Sequence, residues 1–171
     1  ERGAEGIGLL RIEHMFQNLR PGEDRLSIMR AMIMAKDTES RKMALDRLGE
    51  LIQQDIEEIF TVMSRLPVTI RLMDPPLHEF LPSHLELEHE IERLKRSWKV
   101  YLFSLIGREP QELTWLKAQL EVVMSLEERN PMLGFRGSRL GVIYHEITQM
   151  QVRAIMQAAA NEKGDVKILA V

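Results

Sequence analysis

Three arginines in this 171-residue chain have neighbours that could turn them into an anion site. Arg11 ends the stretch IGLLR and is followed by Glu13 and His14. Arg71 stands near the end of VTIRL and is followed by Asp74, His78 and Glu79. Arg136 lies between glycines in GFRGSR. In an α/β fold, side chains at the C-terminal ends of parallel strands line the ligand crevice. Guanidiniums converging there suit phosphate or carboxylate, because the planar fork binds two oxygens at once and keeps its charge. An arginine after a strand serves equally well as an ion-pair partner, and Glu13 and Asp74 are candidates for that pairing. The GFRG glycines have two readings as well, a tight turn needing positive φ or a close backbone approach to a ligand.

Other chemistry is poorly supported. His14 and His78 each neighbour a glutamate, but adjacent residues do not share a helix face as an H-E-x-x-H pair does, so zinc is not expected. Glu86, Glu88, His89, Glu90 and Glu92 read as a solvated helix face. There is no phosphate-binding glycine loop; GAEGIG matches only superficially. No Ser-His-Asp arrangement is present in a usable order. Absence of cysteine excludes disulfides, thiolate nucleophiles and thiolate metal sites.

The elements that must place these arginines alternate between strand and helix. Ile7–Arg11 reads as a short strand. A first helix is expected over Asp24–Ala35. A long helix follows, capped by Asp37 or Thr38, with an apolar face of Leu45, Leu48, Ile52, Ile56, Ile59, Phe60 and Met63. Pro67–Leu72, with Val68, Thr69 and Ile70 together, reads as a buried strand ended by Pro75 and Pro76. His84–Val100 is expected as one helix. The stretch GREPQELTWLKAQLEVVMSLEER is another, with Pro110 in its first turn and Leu113, Leu116, Leu120, Val123 and Met124 on its apolar face. NPMLGFRGSRLG reads as a loop or short strand with turns. Tyr144–Ala160 is helical, Gly164 and Asp165 make a turn, and Val166–Val171 is a last strand. The methionines are expected to fill the core. This alternation points to an α/β class with parallel βαβ units.

Composition agrees with a soluble domain, 44% hydrophobic and 29% charged, that buries a sizeable core. Net charge of -3 and only 5% aromatic residues argue against nucleic acid as a partner. No apolar run reaches membrane-spanning length, so no membrane association is expected. The start has no signal-peptide pattern and no initiator Met. The chain enters almost directly on GIGLLRIE and stops on VKILAV, which reads as a piece of a longer protein.

GIGLLRIEHMF, PVTIRLMDPPLHEFLP and NPMLGFRGSRLGVIYHEITQMQVRAI together resemble the phosphoenolpyruvate-binding barrel of the pyruvate, phosphate dikinase family. The three segments keep the family's order and span nearly the whole chain, and LMDPPLHEFLP is the most specific. Phosphoenolpyruvate synthases and the phosphotransferase-system enzyme I share the arginine-after-strand pattern but differ after it.

The resemblance implies a (β/α)8 barrel at the C-terminal end of a multidomain enzyme. Residues 1–171 would then be one partial barrel domain with parallel strands and a helical insertion at about 84–128. It implies phosphoryl transfer between phosphoenolpyruvate and a phosphohistidine domain, with pyruvate and Mg²⁺, in a parent that also carries a nucleotide-binding domain for ATP. Arg11 and Arg71 match the family's substrate-phosphate arginines, and Arg136 matches a third active-site arginine. Glu13, His14, Asp74, His78 and Asn130 form the expected supporting shell.

Departures from the family are Leu10 and Ile12 in place of cysteine and threonine, Phe135 in place of histidine, and His145 in place of proline. The region from His84 to Glu109 is longer, as if SWKVYLFSLIG were inserted. The family's metal-binding glutamate and aspartate and its cysteine acid fall beyond Val171. No catalytic residue or metal ligand is therefore expected in this chain, which should be inactive alone. The open strand edges of half a barrel suggest a homo-oligomer, and a cytoplasmic location is expected. The alternatives are a stand-alone anion-binding or regulatory module, a structural domain whose arginines make ion pairs, or a piece of a related synthase or enzyme I.

Overall fold

The computed structural model describes residues 3–16, 23–105, 107–127, 134–162 and 167–171. It divides into two compact units, Glu1–Pro76 with Phe135–Val171, and Leu77–Gly134.

The first unit is α/β. Among the described residues its sheet has three parallel strands in chain order, β1 (Ile7–Arg11), β2 (Pro67–Arg71) and β3 (Lys167–Ala170). β-Branched Val68 and Ile70 make β2 the buried centre, at 1% and 0% exposure. Each such side chain contributes about 1.5–3 kcal/mol on burial. The prolines end the ladder as expected, and the last rungs beyond it are Val171 N–H to the Ile70 carbonyl at 3.0 Å and Leu72 N–H to the Val171 carbonyl at 2.9 Å. Register pairs Arg11 with Arg71, which puts both arginines at the C-terminal end of the sheet.

The crossover from β1 to β2 runs through α1 (Glu13–Phe16), α2 (Arg25–Met34) and α3 (Thr38–Val62). Asp24 caps α2 by accepting from Ser27 N–H at 3.0 Å, and Asp37 caps α3 by accepting from Ser40 N–H at 2.7 Å. Such caps satisfy amides that have no partner within the helix. Leu45, Leu48, Leu51, Ile52, Ile56 and Phe60 bury one face of α3, while Ile59 and Met63 stay half-buried. That face packs on α8 (His145–Asn161), which buries Ile147, Met150, Ala154, Ile155 and Ala158. The helices pack tightly at Gly49, where a Cβ would lie 3.1 Å from Met150 Cγ.

Gly134–Arg136 is a bend and an extended residue, as a loop would be, but Gly137–Ile143 is a helix, α7, where a loop or short strand was expected. Arg136 before it is extended, Gly137 takes φ +55°, and Gly141 lets the helix approach Thr148, whose Oγ1 would lie 2.6 Å from an added Cβ. The glycines there serve tertiary contacts rather than a flexible link, and these override local propensity. Tyr144 joins α7 to α8, with the Arg41 guanidinium 5.2 Å from its ring centroid and the Phe135 ring set edge-on. The expected turn at Gly164 and Asp165 lies outside the described residues.

The second unit holds a 3-10 turn (Leu77–Phe80) and the helices α4 (His84–Lys95), α5 (Trp98–Leu105) and α6 (Gln111–Leu126). Ser83 and Glu86 close a capping box on α4. Leu87 and Ile91 of α4 are buried, as are Leu113, Leu116 and Val123 of α6, and the two helices pack together. The expected single helix His84–Val100 is broken at Ser97. The Ser97 carbonyl accepts from Val100 N–H at 3.1 Å, starting α5 afresh. Met124 is exposed rather than on the apolar face, and Met43 and Met156 are exposed as well, so core filling holds for Met15, Met29, Met32, Met73 and Met150. Glu86, Glu88, His89 and Glu92 are exposed and Glu90 is half-buried, the solvated face expected of them.

Candidate functional site

The ends of β1 and β2 carry the chemistry. Beyond β2 comes Met73, whose amide donates to Gln151 Oε1 at 2.6 Å; Gln151 in turn donates from Nε2 to the Ile147 carbonyl at 3.2 Å. Gln151 is only 3% exposed. It ties the segment after the strand to α8 and so fixes where Asp74 begins. Gly137 N–H then donates to the Asp74 carbonyl at 3.2 Å, which places α7 and Arg136 against the same segment.

Asp74 is the hub. Its carboxylate accepts from Arg136 Nε at 3.3 Å and from Arg136 Nη2, and it pairs with Arg71 Nη1 at 3.1 Å. The Arg136 guanidinium holds the Asp74 carboxyl below the usual carboxylate range, with smaller help from Arg71 and Arg11 and against the opposing effect of partial burial. Arg71 also donates from Nη2 to Glu13 Oε1, and Glu13 is 4% exposed. Arg71 Nε and Glu13 Oε2 are buried with no hydrogen-bond partner among the described residues. A buried guanidinium N–H without a partner is costly, so the site has hydrogen-bonding capacity to spare. A cavity of about 640 Å³ adjoins it, lined by Arg71, Asp74, Gly137, Leu140, Gln151 and Val171 among others.

Of the residues singled out in the sequence, Arg71, Arg136, Glu13 and Asp74 are in direct contact. Arg11 is exposed, beside Arg71 in the sheet, and feels Asp74 through space. Glu13 pairs with Arg71, across the sheet, rather than with its near neighbour Arg11. His14 is exposed and lines a different cavity of about 500 Å³ with Arg11, Asp55 and Glu58. His78 and Glu79 belong to the second unit. Asn130 lies outside the described residues.

Sequence reasoning missed two devices. Gln151 is one. The other is Arg25, 2% exposed, which donates to Asp55 Oδ1 at 3.1 Å, to Asp55 Oδ2, to Glu23 Oε2 at 2.9 Å and to the Met15 carbonyl at 3.1 Å. It pins the end of α1, which carries Glu13, to α2 and α3. The signal was a polar residue at a position of an apolar face: Asp55 beside Ile52 and Ile56, and Gln151 beside Ile147 and Ala154.

A divalent cation does not fit these residues. Both carboxylates of the site are engaged by guanidiniums, and the five groups Arg11, Arg71, Arg136, Glu13 and Asp74 sum to one positive charge. Among the described residues no group of three or more His, Asp or Glu is placed to hold a metal ion. Among them also, no helix is long and apolar enough to cross a membrane.

The chain resembles known proteins over nearly its whole length. The chain is 47% identical over 161 residues to chloroplastic pyruvate, phosphate dikinase 1 of Arabidopsis thaliana, covering 94% of this chain and 15% of that protein. It is 49% identical over 158 residues to pyruvate, phosphate dikinase 2 of Oryza sativa subsp. japonica, covering 92% and 16%. It is 45% identical over 163 residues to pyruvate, phosphate dikinase of Rhizobium meliloti (strain 1021), covering 95% and 16%. The chain thus spans about a sixth of the length of these relatives. Residues 1–170 match the family model described as PEP-utilising enzyme, PEP-binding domain, where PEP is phosphoenolpyruvate, and the chain belongs to that family.

Proposed function

We propose that the Arg11, Arg71 and Arg136 cluster binds phosphoenolpyruvate or pyruvate in the parent of this chain, a pyruvate, phosphate dikinase, for phosphoryl transfer to and from a phosphohistidine domain. The observation that carries this reading is the meeting of Arg71 and Arg136 on Asp74, beside Arg11, at the C-terminal end of parallel strands. A transferring phosphoryl group spreads charge over three oxygens, and fixed cations around it lower the energy of that state. Arg71 and Arg136 supply forked donors for those oxygens, and exposed Arg11 supplies the excess positive charge that draws the anion in. Glu13 and Gln151 act indirectly, holding Arg71 and the Asp74 segment.

Three parallel strands with helical crossovers suit part of a (β/α)8 barrel, and we read about 84–128, within the unit Leu77–Gly134, as a helical insertion. Mg²⁺, which in this reaction class neutralises charge on the phosphoryl group, would be held by residues other than those described. The nucleotide-binding and phosphohistidine domains would be partners within the parent. Calorimetric titration with phosphoenolpyruvate tests the site. Binding lost in Arg71→Ala and weakened in Arg11→Ala is the expected result, whereas unchanged affinity in Arg71→Ala would remove the clamp.

A further inference from the structure

Asp74 occupies the position between two guanidiniums that an anionic ligand would take. It receives Arg71 Nη1 at 3.1 Å, Arg136 Nε at 3.3 Å and Arg136 Nη2. These are the same forked donors that fit phosphate or carboxylate oxygens. The two carboxylates of the site are not equally held. The Glu13 side chain is 5% exposed, whereas that of Asp74 is 26% exposed and lines the cavity of about 640 Å³. Asp74 is therefore the carboxylate that can leave.

We propose that Asp74 is an internal competitor for the arginine clamp and sets its charge threshold. An incoming anion gains the donors that Asp74 now holds, on Arg71 Nη1 and on Arg136 Nε and Nη2, only as the Asp74 carboxylate gives them up. A monoanion merely exchanges one negative charge for another. A phosphomonoester dianion brings more charge than it displaces, so it gains net attraction from all three arginines. The site thereby favours dianions over singly charged carboxylates. The depressed protonation of Asp74 is consistent with this, since it keeps the competitor ionised at neutral pH. The proposal rests on the anion-site reading above.

The test is calorimetric titration of phosphoenolpyruvate with Mg²⁺ at pH 8 into the parent protein, as wild type and with Asp74→Asn, Asp74→Ala or Arg71→Ala. Both Asp74 variants are expected to bind about tenfold tighter than wild type, and Arg71→Ala not at all. Equal or weaker binding in both folded Asp74 variants overturns the competitor role while leaving the clamp intact. No binding in any of the four chains overturns the anion-site reading and this proposal with it. A crystal structure of the wild-type chain with phosphoenolpyruvate makes the test independent of the variants. Asp74 should stand beyond about 4 Å, the ion-pair limit, from both guanidiniums. A ligand bound with those contacts unbroken overturns the proposal.

Discussion

Gly137 and Asp74 interlock. The Gly137 amide donates to the Asp74 carbonyl at 3.2 Å, and the place of its missing Cβ lies 3.1 Å from Asp74 Oδ1. Gly137 also takes φ +55°, a conformation that side chains with a Cβ rarely adopt. One glycine thus sets both the backbone of the Asp74 segment and the room its carboxylate needs to reach Arg136. Gly137→Ala is expected to cost about 1–2 kcal/mol, mostly from left-handed strain. Urea denaturation of the two chains measures it, and equal midpoints would show that the backbone there relaxes freely.

Glu13 is the buried anchor of Arg71. Replacing it leaves a half-buried guanidinium with one fewer partner and its Nε still unpaired. We expect Glu13→Gln to lower stability by about 1–2 kcal/mol, the pair being only partly desolvated on the arginine side. Glu13→Ala should cost more, because it also opens a hole beneath the strand end. Thermal melts of both variants check the order, and a Glu13→Gln chain as stable as wild type would show the pair to be neutral.

Acid should loosen this unit through Asp74. Its folded-state pKa lies below the ordinary value because of Arg136, so it contributes stability that is complete above about pH 4. That contribution is lost as pH falls through the depressed value. Asp24 and Asp37, lowered by their bonds to Ser27 and Ser40, lose theirs in the same window. The gap in unfolding free energy between pH 7 and pH 3 should therefore narrow in Asp74→Asn by no more than about 1 kcal/mol, not vanish. A gap of unchanged size would mean that Asp74 contributes nothing to acid sensitivity.

Arg25 and Asp55 make the costliest pair to break. Both are buried, and Asp55→Ala strips the charge that Arg25 meets in two places, leaving Glu23 and the Met15 carbonyl. A loss of about 2–4 kcal/mol is expected. The double variant Arg25→Met with Asp55→Leu should recover much of it, since two apolar groups need no partner. Chemical denaturation of the single and double variants completes the cycle; a double variant less stable than Asp55→Ala would contradict this account.

Local order was legible where one physical rule dominated. Asp24 and Asp37 announce the starts of α2 and α3 because short polar side chains reach unpaired amides. Period and β-branching marked α3, α8 and β2, and Pro75 and Pro76 marked where β2 stops. The break at Ser97 and the helical α7 were hidden, because each depends on hydrogen bonds or contacts that compete with a plausible local pattern. In α7 the glycines looked like a loop but serve Asp74 and Thr148.

By itself, then, the sequence of this protein determined its α/β alternation, its family, the two arginines at strand ends, Arg11 and Arg71, and the glycine-flanked Arg136, since these are written in residue type, spacing and motif order. Which carboxylate meets which arginine was decided only by the tertiary structure. Glu13 passes over its near neighbour Arg11 to reach Arg71 because the chain after β1 stays against the end of β2, where Ile12 N–H donates to the Arg71 carbonyl at 3.5 Å. Arg136 reaches Asp74 because a left-handed Gly137 brings α7 against the segment after β2. Ion pairs follow distance in space, and distance between residues remote in the chain is set by packing.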